Sequence, residues 1–132
     1  MEPFPGQHAQ VGMPSLELAA LDYGQIDPGL LDFVTVHLLL YGLDGKAPSL
    51  ADAARWEQHY GLHEKSNHLV LVGTPQMLSS KTKSMIPGLQ LVDRNFRLRY
   101  DSAGRRAPHD MWADLWPGVS GLLSERPTPR AR

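Results

Sequence analysis

The feature that most restricts the fold is the run Phe33-Val34-Thr35-Val36-His37-Leu38-Leu39-Leu40, apolar at nearly every position and rich in β-branched residues. A strand with one solvated face alternates apolar and polar residues. An almost unbroken apolar strand is therefore expected where both faces are covered, as in a parallel or mixed sheet packed by helices. Gly42, Asp44-Gly45 and Pro48 end the run. Ser49 then offers an N-cap and Asp52 an acidic first turn. Leu50, Ala53, Trp56 and Tyr60 recur along one face of a helix that Gly61 can close. His68-Leu69-Val70-Leu71-Val72 is a second short apolar strand. The pattern so far is strand, helix, strand.

Thr74-Pro75 places an N-cap before a proline and predicts a short helix over 76–83. Beyond Pro87-Gly88, the segments Leu89-Gln90-Leu91-Val92 and Phe96-Arg97-Leu98-Arg99-Tyr100 flank Asp93-Arg94-Asn95 and predict an antiparallel hairpin. Trp112, Leu115, Trp116, Val119, Leu122 and Leu123 follow at helical spacing, with Pro117-Gly118 expected to kink or split that helix. Residues 1–14, rich in Pro and Gly, read as an extended arm, and 125–132 as a flexible tail around a single domain at 15–124. Within 15–32 the signal is mixed: Leu16 and Leu18 alternate like a short strand, whereas Leu21 and Tyr23 fit no clean period, and Asp27-Pro28-Gly29 marks a turn. A strand–helix–strand unit followed by a hairpin and a covering helix implies three layers around a mixed sheet.

This order, together with Met85-Ile86-Pro87-Gly88-Leu89-Gln90-Leu91-Val92-Asp93-Arg94-Asn95-Phe96-Arg97-Leu98-Arg99-Tyr100, resembles the thioredoxin-like superfamily, most of all its redoxin branch of thiol–disulfide oxidoreductases and peroxiredoxin relatives. The resemblance covers 32–123. It implies an α/β, thioredoxin-like three-layer sandwich with a mixed β-sheet, and it places Ile86-Pro87 at the family's cis-proline. Residues 51–62 are similar to the helix that precedes the inserted strand of that branch. The binding residues implied are Met85, Ile86 and Pro87 at the cis-proline edge, with Arg97 and Arg99 on the hairpin.

The chain departs from that family in one decisive respect: it has no cysteine. Dithiol and thiol-peroxidase chemistry is closed to its own residues. Ahead of the strand equated with 33–40 the family places a core strand, the cysteine motif and a long helix. Residues 16–32 are too few to hold all three at about 1.5 Å rise per helical residue. The N-terminal part of the fold is therefore incomplete. The central strand position would be filled by 16–21 or by a strand from another chain, or the chain is a piece of a longer protein.

Other chemistry finds little footing. His59 and His63 have the i, i+4 spacing of a helical zinc pair, but Gly61 between them is expected to end the helix. His37, inside the apolar run, is expected to be hydrogen-bonded rather than catalytic; an enzyme using His37 or His109 is the weaker alternative. Val119-Ser120-Gly121 lacks the strand-to-turn setting of a nucleophilic serine. No metal, cofactor or catalytic residue is assigned. Residues 1–45 carry six acids and no Lys or Arg, a charge of −6, while the remainder carries all 13 Lys and Arg against eight acids, +5. Such a split either orients a partner or reflects two solvated faces. Arg94, Arg97, Arg99, Arg105 and Arg106 form a basic cluster, yet without interleaved exposed aromatics nucleic-acid binding is not expected. No run approaches the length of a membrane span and no secretory signal is seen, so a cytoplasmic protein is expected. The functional expectation is a redox-inactive thioredoxin-like domain acting as a protein-binding or structural subunit of a larger assembly, with a protein partner or a homo-oligomer. The alternative is a fragment or subunit of a thiol–disulfide oxidoreductase or peroxiredoxin-type enzyme whose cysteines lie upstream or on a partner chain.

Overall fold

The computed structural model describes residues 15–27, 29, 32–65, 67–79, 88–102 and 107–126. Along the chain the elements are α1 (Leu16–Gly24), β1 (Thr35–Leu39), α2 (Leu50–His59), β2 (His68–Val72), β3 (Gln90–Val92), β4 (Leu98–Asp101) and α3 (Trp116–Ser124). They form two compact units. The first takes the described residues of 29–84, the second those of 14–28 and 85–132. The chain is thus a mixed α/β protein.

In the first unit β1 and β2 pair in parallel, in register from Thr35↔His68 to Leu39↔Val72. A parallel pair needs a crossover, and α2 supplies it, giving the strand–helix–strand order expected. The helix begins as its sequence dictates. Ser49 Oγ accepts from the Asp52 backbone N–H at 3.2 Å, and Asp52 Oδ2 accepts from the Ser49 backbone N–H at 2.8 Å. This reciprocal box satisfies two amides that would otherwise lack partners at the helix start. The helix ends at Gly61, whose φ of 62° places it in the left-handed region open to glycine. Ala53 is buried and Trp56 half-buried, but Leu50 is 81% exposed, so the apolar stripe starts a turn later than its spacing suggests. A 3₁₀ turn, Leu62–Glu64, buries Leu62 before β2. Asn67, itself buried, donates from Nδ2 to the Phe33 carbonyl at 3.0 Å, and the Thr35 N–H donates to the Asn67 carbonyl at 2.9 Å. Together these bonds close the entrance to the strand pair. Past β2, Pro75–Met77 forms a 3₁₀ turn where a longer helix over 76–83 is expected; 80–83 lie outside the described residues.

In the second unit α1 corrects the strand-like reading of 16–21. Ser15 caps it, its Oγ accepting from the Leu18 N–H at 3.2 Å. Gln25 in the left-handed region (φ 52°) closes it, with N–H groups of Gln25 and Ile26 returning to Leu21 and Ala20 carbonyls. Ala19, Ala20 and Gly24 form its buried side, and these small residues let α1 lie close against α3. A side chain at Gly24 would meet the Trp116 carbonyl at 3.1 Å. Across the same contact Ser120 Oγ donates to the Gly24 carbonyl. Tertiary packing decided the helix; a weak two-residue alternation did not.

The C-terminal helix is not split but changes from π to α beside Pro117. Met111–Leu115 is a π-helical turn, and α3 continues from it through helical backbone at Leu115 and Trp116, with Pro117 in its first turn. Asp110 Oδ1 accepts from the N–H groups of Trp112 (2.8 Å) and Ala113 (2.7 Å). Leu115, Trp116, Val119 and Leu122 are buried and make the core of this unit. Trp112 is only half-buried, its ring 4.9 Å from that of Tyr23. β3 and β4 form the expected antiparallel hairpin with an irregularity between Leu91 and Val92. Phe96 and Arg97 belong to its turn and not to the second strand. The parallel and antiparallel pairs, expected in one mixed sheet, are each a two-stranded sheet among the described residues. The arm at 1–14, most of the tail at 125–132, and Arg105 and Arg106 lie outside the described residues.

Candidate interaction surface

The alternation of side chains across a strand divides the β1–β2 sheet into two faces. One carries Thr35, His37, Leu39, His68, Val70 and Val72, all half-buried or buried, beneath α2, which packs on β2. The other carries Val36 and Leu38 opposite Leu69 and Leu71, with Val34 just ahead of the strand. These five aliphatic residues are 48–52% exposed. The expectation of cover on both faces is therefore corrected: among the described residues of this unit one helix packs on the sheet, and the side chains of its second face are aliphatic and about half exposed. Single exposed apolar residues need no explanation, but a contiguous set in register does.

On the covered face the two strands are tied diagonally. His37 Nε2 and His68 Nδ1 lie 3.2 Å apart, with ring centroids 5.5 Å apart and planes at 26°. One ring nitrogen donates and the other accepts, the tautomers being set by that pairing. His37 is thus hydrogen-bonded, as its place in the run suggests. No group of three or more His, Asp or Glu among the described residues is arranged to hold a metal ion. Gly61 stands between His59 and His63 in the left-handed conformation that ends the helix.

Of the binding residues read from the sequence, Met85, Ile86 and Pro87 lie outside the described residues. Arg97 and Arg99 are not equivalent. Arg97 sits in the hairpin turn with an exposed side chain, its N–H donating to Asp93 Oδ1 at 3.0 Å. Arg99, on β4, is held by two carboxylates: Asp93 at 3.1 Å and Glu125, two-pronged, at 2.8 and 2.9 Å. Glu125 is held below its usual range by the Arg99 guanidinium. Asp93, whose side chain is 7% exposed, is lowered first by the Arg97 backbone N–H and further by those of Asn95 and by Arg99. Arg99 is raised in turn by Glu125 and Asp93. Its charge is spent inside the unit. Beside it lies an open depression of about 390 Å³ over Gly118 and Gly121, bordered by Arg99, Asp114 and Glu125. Two carboxylates against one already paired guanidinium make this a poor seat for an anion.

The sequence reading missed Val36, Leu38, Leu69 and Leu71 as an open face. The two-residue alternation that sorts them was present, but nothing local says which face α2 would cover. It also missed Glu125, which lies 26 residues from Arg99. Comparison with known protein families, with curated proteins and with solved structures finds no match for this chain.

Proposed function

We propose that this chain is a redox-inactive, thioredoxin-like domain that serves as a protein-binding or structural subunit of a larger assembly, docking through the open face of β1–β2. One observation carries the reading: Val34, Val36, Leu38, Leu69 and Leu71 form an unbroken aliphatic surface on a two-stranded sheet. Two strands with a bare apolar face are a poor stopping point for a sheet. Completing the burial of a half-exposed aliphatic side chain contributes about 1 kcal/mol, so the five together offer roughly 5 kcal/mol toward association before its entropic cost. The absence of cysteine supports a non-catalytic role in redox terms, and the strand–helix–strand order followed by a hairpin and a helix supports the thioredoxin-like frame.

The test is light scattering coupled to size-exclusion chromatography, with affinity capture from the source cell, on the wild type and on Val36→Asp and Leu71→Lys. The wild type is expected as an oligomer or in a complex, and each variant as a folded monomer that has lost it. A stable wild-type monomer, capturing nothing that the variants fail to capture, refutes the proposal.

A further inference from the structure

The β3–β4 turn breaks a local rule. Phe96 has φ of 61°, a conformation that bulky side chains rarely adopt, and it is 84% exposed. The strain is held in place by Asp93. Its Oδ1 accepts from the N–H groups of Asn95 at 2.8 Å and Arg97 at 3.0 Å, and its Oδ2 from Arg99 at 3.1 Å. The Phe96 N–H donates to the Asp93 carbonyl at 2.9 Å. Glycine would occupy this position without penalty and asparagine at a smaller one, so an aromatic there runs against the backbone's preference. Val92 and Leu98, paired across the strands, are 47% and 55% exposed. Three apolar side chains thus cap the hairpin end. Arg94 and Arg97, both exposed, flank Phe96 in sequence, so an exposed aromatic does lie among these arginines, contrary to the expectation from sequence.

We propose that this tip is a peripheral membrane anchor that inserts Phe96, Val92 and Leu98 into the interfacial layer of an anionic bilayer while Arg97 meets lipid phosphate. Phe96 is 84% exposed, so its ring is available to a surface that forms around it. Phe and Leu side chains bury at the boundary between headgroups and acyl chains, and an arginine beside them is drawn to negative leaflets. The Asp93–Arg99–Glu125 bonds fix the turn, so little ordering is lost on insertion. A single tip of this size binds weakly and reversibly. The inference rests on the second unit alone and is independent of the role proposed for the β1–β2 face.

The test is co-sedimentation of the full chain with vesicles of phosphatidylserine and phosphatidylcholine, against vesicles of phosphatidylcholine alone. The wild type is expected to pellet with the first and not the second, and less so as salt rises. Phe96→Asn, which tolerates a positive φ, should weaken binding about tenfold while the melting temperature stays level or rises. Phe96→Trp should retain binding, and Arg97→Gln should weaken it roughly fivefold. Failure of the wild type to pellet with phosphatidylserine vesicles at low salt overturns the proposal, whether the tip is idle or seats in a protein. So does wild-type binding by Phe96→Asn.

Discussion

Two glycines on α3 offer one substitution with opposite consequences. Alanine is the better helix former by about 1 kcal/mol, so on propensity alone Gly118→Ala and Gly121→Ala should both stabilise. The structure separates them. A Cβ at Gly121 meets nothing within 4 Å, whereas one at Gly118 would sit 2.5, 2.6 and 3.0 Å from three atoms of the Tyr100 ring. Tyr100 is half-buried on β4, and its ring is rigid, so relief requires the whole side chain or the strand to move. Forcing extra volume into such a contact costs about 1–3 kcal/mol. With a Cβ only 2.5 Å from a rigid ring, the upper part of that range applies, about 2–3 kcal/mol. Against a propensity gain of up to about 1 kcal/mol, the net for Gly118→Ala is a loss of roughly 1–2 kcal/mol, or a fall of about 3–8 °C in melting temperature for a chain of this size. Gly121→Ala should gain about 0.5–1 kcal/mol. Urea and thermal denaturation followed by circular dichroism measure both. The double variant Gly118→Ala/Tyr100→Ala isolates the cause: with the ring gone, adding the methyl group to a Tyr100→Ala background should no longer destabilise. An unchanged or raised melting temperature for Gly118→Ala refutes the close approach of Gly118 to the Tyr100 ring. So does a deficit that persists without the ring.

Arg99→Leu should flatten the acid limb of the stability curve. Asp93 and Glu125 are held below the usual carboxylate range in the folded chain, so their contribution is present above the unfolded carboxylate values and is lost as pH falls through the lowered ones. Denaturation across that acid window should show a shallower pH dependence in the variant, and a wild-type slope would contradict the role given to the guanidinium. Ser49→Ala removes one half of the box that starts α2 and should cost about 1 kcal/mol in denaturant titrations. Asn67→Leu leaves the Phe33 carbonyl without its 3.0 Å donor at the head of the strand pair, an expected loss of about 1–3 kcal/mol by the same assay.

What the sequence disclosed was whatever is decided locally. Ser49 and Asp52 cap α2 three residues apart, Gly61 stops it, and the apolar runs on either side become the parallel strands. The last helix changes from π to α beside Pro117, whose ring supplies no N–H to the helical ladder. The failures have non-local causes. Residues 16–21 became a helix because Ala19, Ala20 and Gly24 fit against α3, with Ser120 donating to Gly24 across 96 positions of sequence. Arg97 and Arg99 looked alike until Glu125 claimed one of them. The run 33–40 counted as doubly covered because its composition records apolarity, not which face receives a helix.

Two departures differ in kind from these. Phe96 contradicts the backbone preference of its own position, and Val36, Leu38, Leu69 and Leu71 leave an aliphatic face bare. No remote partner among the described residues resolves either, as Glu125 does for Arg99. A chain whose caps, turns and core obey local rules elsewhere is expected to break them where another molecule completes the arrangement. The uncovered face of β1–β2 and the Phe96 tip are therefore the two places where this protein's binding should be sought. The Arg99 depression, whose charges are already satisfied within the unit, is not.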